Sequence, residues 1–233
     1  MPNGDTVSDL IRILEQTNLA DRPGRLLYSG LGTLCPGRLY MLGDNPGGDP
    51  DAESDSPRTH LEALVRRSPD WNEYISGVWK PRGRVCAAGE AGMQRRVRDL
   101  LTNLGLPTQT VCASNLIFVR SQVSDGLGNR LERAHLARQC WPVHQFILDK
   151  VRPTAILSIG KSAFEFISKQ GILLSQPESV PAGKGNLMCR AARVRLGTSN
   201  ITMISVPHLG DRIRYDIAAH PKVISWVRDK LGF

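Results

Sequence analysis

Polar residues follow four apolar runs in this sequence, at points where a buried strand would end. The four exits are the stretch from Gly43 to Gly48, the pair Ser114-Asn115, the stretch from Gly160 to Ser162, and the pair Pro207-His208. Glycine and proline turns let backbone amides and short polar side chains approach a ligand closely. A strand asparagine such as Asn115 is costly to bury unless it is hydrogen-bonded. Taken singly, each exit also fits a structural turn, but four exits at one rim predict a ligand site.

The elements that would hold these exits alternate between strand and helix. Apolar runs predict strands at 38–42, 110–119, 154–159 and 201–206, and helices are predicted near Thr6, at 93–104 and 131–151, after Gly160 and at Pro221. Loops are expected at 46–59, and a loop or hairpin at 176–190. Strands separated by helices form βαβ units. We therefore expect one α/β domain over residues 1–233, a three-layer α/β/α fold with a central, mainly parallel, four-stranded sheet.

The charge balance favours a polyanionic partner. The chain carries 30 basic and 22 acidic side chains, which gives a formal charge of +8. Such an excess fits either nucleic acid or a well-solvated surface. The basic clusters lie at 80–84, 95–98, 190–195 and 212–214. No apolar run approaches the ~20 residues that span a bilayer, and the first residues lack signal-peptide features, so we expect no membrane partner and a cytoplasmic location.

The cysteines argue against a cluster or a disulfide framework. The chain has five of them, and none forms a C-x-x-C pair. Zinc ribbons and iron–sulfur clusters are usually assembled from such close pairs. The odd number also disfavours a complete set of disulfides. We expect no metal and no organic cofactor.

The ordered set of strand exits resembles the uracil-DNA glycosylase superfamily. That family carries, in order, a strand ending in G-x-[D/N]-P, a strand with a base-reading Asn, a strand ending in G-K-x-A, and a strand ending in a His motif. The matching residues here are Gly43-Asp44-Asn45-Pro46, Asn115, Gly160-Lys161-Ser162-Ala163 and His208. The Asn45-Pro46-Gly47 version is most similar to the mismatch-specific and single-strand-selective branches. The likeness spans roughly residues 38–216.

The resemblance implies a role for each motif. An enzyme that cleaves a base from deoxyribose must first swing the nucleotide out of the stack. Asn115 would then bond N3–H and O4 of uracil, and His208 would donate to O2, where negative charge grows. Asn45 would position the water, with Asp44 as a second candidate. The other implied site residues are Gly43, Pro46 and Gly47 for the substrate, and Lys161, Ser162, Arg212 and Arg214 for DNA.

The sequence departs from the family pattern after His208. The family's His-Pro-Ser is replaced by His208-Leu209-Gly210. This departure leaves open a catalytically silent relative that binds a base or nucleic acid with salt-sensitive affinity. An unrelated α/β hydrolase using Asp44 and His208 is disfavoured, because no G-x-S-x-G elbow accompanies them. The leading expectation is a monomeric DNA glycosylase acting on single- or double-stranded DNA, in the cytoplasm or, in a bacterium, at the nucleoid.

Overall fold

A computed structural model describes residues 4–51, 53, 55–122, 124–210 and 215–232 of the chain. A mixed β-sheet lies at its centre, with helices on both faces. The strands are β1 (Leu39–Gly43), β2 (Cys112–Asn115), β3 (Ala155–Ile159), β4 (Ile172–Leu173), β5 (Glu178–Pro181), β6 (Met188–Leu196) and β7 (Ser199–Val206). The helices are α1 (Gly4–Glu15), α2 (Pro57–Val65), α3 (Glu73–Ser76), α4 (Gly92–Asn103), α5 (Arg130–Val151), α6 (Lys161–Ile167) and α7 (Pro221–Leu231).

The sheet joins a parallel half to an antiparallel half. Its order is β2-β1-β3-β7-β6-β4, and β5 also pairs with β6. Strands β2, β1, β3 and β7 are parallel to one another, whereas β6 is antiparallel to β7, β4 and β5. The α/β class is confirmed, and the four predicted strands are the parallel ones. The predicted total of four strands is wrong, because the described residues form seven.

The full length of β6 was not predicted, because basic residues interrupt its apolar residues. Arg190, Arg193 and Arg195 lie exposed or half-buried between buried small side chains such as Val194. This alternation is typical of a strand with one face on the core and one face in water. Because the arginines interrupt any apolar run, the prediction covered only a loop or hairpin at 176–190. The hairpin is confirmed, and its second strand continues to Leu196.

Successive residues of β1 enter two separate cores. Tyr40 and Leu42 pack into the layer that contains side chains of α1, α2, α5 and α6. Leu39 and Met41 pack into the layer that contains side chains of α4 and α7. Side chains alternate between the two faces of a strand, so both faces of this sheet are buried. This explains why the parallel strands read as continuous apolar runs.

Helix α5 is the longest helix described, with 22 residues, and it continues through Pro142. The helix predicted at 131–151 is therefore confirmed. Among the described helices, none is both long and apolar enough to cross a membrane. The helix also carries His144, which is buried between the Tyr40 hydroxyl at 2.8 Å from Nδ1 and the Leu116 carbonyl at 3.0 Å from Nε2. These bonds hold the chain directly after β2.

Candidate active site

The four predicted exits lie side by side at one edge of the sheet. Gly43 pairs with Asn115 across β1 and β2, and Ile159 pairs with Val206 across β3 and β7. Since β1 and β3 are also parallel neighbours, the residues that follow these positions form one row. Neighbouring strands lie about 4.8 Å apart. The order of connection reverses between β1 and β3, which is where open α/β sheets bind their ligands.

The side chain of Asn115 lies across the end of β1. A Cβ atom at position 43 would overlap its Oδ1, so Gly43 provides the space for this carboxamide. Asn115 is 5% exposed, and its Nδ2 has no hydrogen-bond partner among the described residues. Leaving a buried donor unpaired costs about 1–3 kcal/mol. A buried donor without a partner needs an explanation, and at this edge of an α/β sheet a ligand would supply the missing acceptor.

Tyr28 lies beside Asn115. Its backbone N donates to the Ala113 carbonyl at 2.8 Å, which attaches it to β2. Burial raises the pKa of Tyr28 to about 12, although the charges of Arg25 and Arg120 act in the opposite direction. The Asn115 side chain is also close enough to lower this pKa, but its Nδ2 forms no hydrogen bond of normal geometry with Tyr28 or any other described residue. The Tyr28 hydroxyl is therefore protonated at neutral pH, so the side chain that forms the wall of the site next to the Asn115 carboxamide is uncharged.

His208 is fixed in one tautomer. The backbone N of Gly210 donates to Nδ1 at 2.9 Å, so the proton of the neutral ring is on Nε2. Burial lowers the pKa of His208, and the charge of Asp44 acts against this effect. The ring lies over Gly160, with Cδ2 3.7 Å from the position of a Cβ there. The exits of β3 and β7 therefore present a neutral imidazole with one N–H donor.

Asp44 and Asn45 differ in what holds them. The Asp44 carboxylate lies 3.8 Å from the Arg133 guanidinium, at the start of α5. Asn45 donates from Nδ2 to the Pro46 carbonyl at 2.9 Å and to the Ser121 carbonyl at 3.4 Å. Both described bonds of Asn45 use its amide nitrogen, which leaves Oδ1 as the acceptor. Both side chains are half-buried at the edge where the strands end.

Arg120 ties the loop after β1 to the exit of β2. Its guanidinium donates to the Gly47 carbonyl and to Asp55 Oδ1 at 2.8 Å, and it lies 2.8 Å from Glu53 Oε2. Asp55 also accepts from Arg25 at 2.6 Å. Arg120 is 4% exposed, so the centre of this ion network is buried, whereas its carboxylates are partly exposed. It sets the position of the loop that carries Asn45.

Neither Arg120 nor Tyr28 was among the predicted site residues. A signal for Arg120 was present, since it is a cation placed directly after the apolar run that ends at Val119. A buried cation is rare unless it is paired, so its position at a strand exit pointed to a local ion network. Tyr28 gave no comparable signal, because it extends the apolar pair Leu26-Leu27.

The residues predicted to contact DNA are placed differently. Lys161 is 71% exposed, and its Nζ lies 3.8 Å from Glu165 one turn further along α6. Ser162 is half-buried in the same turn. Both follow β3 at the edge that carries Asn115 and His208. Arg212 and Arg214 lie outside the described residues.

Leu209, which follows His208 where the glycosylase pattern has proline, is a core residue. Leu209 is completely buried, and its carbonyl accepts from the Arg96 guanidinium at 2.6 Å. The leucine packs with side chains of α4 and α7. The position after the histidine is therefore used for folding in this chain.

No group of three His, Cys, Asp or Glu side chains within the described ranges is arranged to hold a metal ion. Comparison with known proteins gives no assignment for this site. The sequence matches no protein-family model, and no curated protein is significantly similar to it.

Proposed function

We propose that this protein is a DNA glycosylase that hydrolyses the N-glycosidic bond of uracil, or of a related damaged base, flipped out of DNA. The observation that carries the proposal is the buried carboxamide of Asn115, whose Nδ2 has no partner among the described residues. It lies in one row with the neutral imidazole of His208 and the amide of Asn45. The charge of +8 supports a polyanionic substrate.

The carboxamide suits one edge of a pyrimidine. Its Oδ1 would accept N3–H of uracil, while the unpaired Nδ2 would donate to O4. Cytosine presents a donor where uracil presents O4, so two donors would face each other. A mismatch of this kind costs about 1–3 kcal/mol per unsatisfied buried group. Asn115 would therefore select uracil over cytosine.

His208 would stabilise the departing base. As the bond between C1′ and the base breaks, its electron pair leaves with the base, and negative charge develops on O2. The Nε2–H of the neutral ring is the donor available for that oxygen, because Gly210 donates to Nδ1. A fixed donor at a developing anion contributes about 3–4 kcal/mol to lowering a barrier. A neutral imidazole can fill this role.

Asn45 would position the water that adds to C1′, and Asp44 would be available to accept its proton. Oδ1 of Asn45 would accept one hydrogen of this water, since the amide nitrogen already bonds two carbonyls. The water supplies the new C1′–O bond, and its proton passes to Asp44 or to solvent. An amide cannot take that proton, so Asn45 orients the nucleophile and Asp44 is the available base.

A cleavage assay tests this proposal. Oligonucleotides with one uracil, single-stranded and in duplex, are incubated with the protein, and abasic sites are revealed by alkaline strand cleavage. We expect cleavage that is lost in Asn115→Ala and His208→Ala. Gly43→Ala should act like Asn115→Ala, because the new methyl group would displace the carboxamide. Asn103→Ala, an exposed change at the end of α4, is the matched control and should keep full activity.

A second candidate is a protein of this fold that binds nucleic acid without cleaving it. The buried Leu209 favours it, because this residue replaces the family's proline and packs in the core. It predicts salt-dependent DNA binding and no abasic product with uracil or other lesions. Cleavage that depends on Asn115 and His208 would exclude it.

A further inference from the structure

The chain between α3 and α4 forms a closed loop, here called the basic loop and comprising residues 77–89. Its ends are joined, because the Gly89 backbone N donates to the Gly77 carbonyl at 3.0 Å. A second bond runs from Cys86 N to the Trp79 carbonyl at 2.9 Å. From α4, Gln94 donates to the Gly77 carbonyl at 2.8 Å. The two ends of the loop are therefore held together by hydrogen bonds.

The basic loop carries only one sign of charge. Its sequence includes Lys80, Arg82 and Arg84 and contains no acidic residue. Lys80 and Arg84 are exposed, and neither has an ion-pair partner among the described residues. This differs from Arg25 and Arg120, which are neutralised by carboxylates. The two cations are thus available to an external anion.

Exposed apolar side chains lie next to these cations. Val78 is 54% exposed and Val85 is 61% exposed. Proteins that engage DNA often combine phosphate-binding cations with apolar side chains that contact bases.

Trp79 connects the basic loop to the candidate active site. Its Nε1 donates to Glu73 at 2.8 Å, and its ring meets Tyr28 and Tyr74 with centroids 6.0 and 5.8 Å apart. Tyr28 is the residue beside Asn115. One aromatic contact therefore separates the start of the loop from the wall of the site.

We propose that the basic loop binds DNA next to the extruded nucleotide, with Lys80 and Arg84 on phosphates and with Val78 and Val85 on exposed base faces. The location beside the extruded nucleotide rests on the proposed function, whereas binding of DNA by the loop does not. The charge of the loop is complementary to the phosphate backbone. It would extend the contact from the base in the site to the neighbouring strand.

Salt-dependent binding tests the cations. Fluorescence anisotropy is measured with a labelled uracil-containing oligonucleotide, as a single strand and as a duplex, over a range of salt concentrations. Losing two phosphate contacts should reduce the slope of log K against log salt by about 1.8 for duplex and about 1.4 for single strand. We expect these changes in Lys80→Ala/Arg84→Ala. Lys150→Ala/Lys169→Ala, in the last turn of α5 and just after α6, is the matched control and should leave the slope unchanged.

The valines are tested by their effect on affinity at constant slope. Val78→Ser/Val85→Ser should weaken DNA binding about tenfold at one salt concentration, because apolar contact is lost, and the salt slope should not change. Val78→Ala/Val85→Ala, which keeps part of the apolar surface, should bind with intermediate affinity. Far-UV circular dichroism and thermal melting identify variants that fail to fold. If Val78→Ser/Val85→Ser does not fold, the test is made with Val78→Ala/Val85→Ala.

The outcomes separate this inference from the proposed function. If no lesion is cleaved but the slope falls in Lys80→Ala/Arg84→Ala, the loop binds DNA and the glycosylase proposal fails. If uracil is cleaved and the salt slope of Lys80→Ala/Arg84→Ala equals that of the parent protein, the inference about the loop is overturned. An unchanged slope together with binding of an acidic peptide would assign the loop to a protein partner and would also overturn it.

Discussion

At His208, one hydrogen bond decides which ring nitrogen carries the proton. Gly210 donates to Nδ1, so the donor that remains is Nε2–H. Asn115 differs, because its Nδ2 has no partner within the described part of the chain and is a donor that a ligand could use. Both effects concern single atoms, and under the proposed function they define which groups would face a flipped base.

The pH dependence of cleavage should report the neutral form of His208. Burial lowers its pKa, so we expect the single-turnover rate to be constant above neutral pH and to fall as the pH drops through that lowered pKa. Protonation would place a hydrogen on Nδ1 and break the bond from Gly210. His208→Asn, which cannot titrate, should be slower and should lack this fall. A rate that increases on acidification would contradict the role of the neutral ring.

At the level of elements, α5 supports the site from the layer packed on one face of the sheet. His144 on this helix bonds the Tyr40 hydroxyl on β1 and the Leu116 carbonyl after β2. The helix thus contacts β1 and the residue after β2, the two strands whose ends bring Gly43 and Asn115 together. The ring is completely buried, and burial lowers the pKa of His144 to about 4.

This histidine makes stability depend on pH. Its folded pKa is below the unfolded value of about 6.5, so the unfolded chain takes up the proton first as the pH falls. We expect His144 to account for a loss of about 3 kcal/mol between about pH 6.5 and pH 4. Urea unfolding of the parent protein and of His144→Gln at several pH values measures this. Equal pH slopes for the two proteins would contradict it, and His135→Gln, an exposed change on the same helix, is the control.

Across the whole molecule, one ion network holds distant parts of the chain together. Arg120 after β2 contacts Glu53 and Asp55 in the loop before α2. Arg25, in the segment between α1 and β1, contacts Asp55 and also Glu73 on α3. The network therefore joins four segments around the loop that carries Asn45.

Removing the central cation should loosen this arrangement. Arg120→Met would leave Glu53 and Asp55 with Arg25 as their remaining described cation, and a hydrogen bond to a charged group contributes about 1.5–3 kcal/mol. We expect a loss of about 3 kcal/mol in urea unfolding, together with slower cleavage, because the Asn45 loop loses its anchor. Arg58→Met, which breaks exposed ion pairs, should cost much less. Equal losses in the two variants would contradict a special role for Arg120.

Most elements of the fold could be predicted from local patterns. The four parallel strands, the helix closed by Gly105 and the helix that begins at Pro221 all follow from periodicity and cap residues. Strand β6 was partly missed, because its arginines alternate with small buried residues rather than forming an apolar run. The site was predicted as a set of exits, and their common edge follows from the parallel order of the strands.

Where the parallel strands end and which side chains follow them could be read from the chain's residues, because these signals depend on near neighbours. The contacts between distant positions became defined only when the chain was folded. The Arg120 bond to the Gly47 carbonyl joins residues 73 positions apart, and the bond from Arg25 to Glu73 joins residues 48 apart. The space over Gly43 for Asn115 likewise depends on strand register. No local pattern encodes such pairs, since they form only when the sheet brings separate strand ends together.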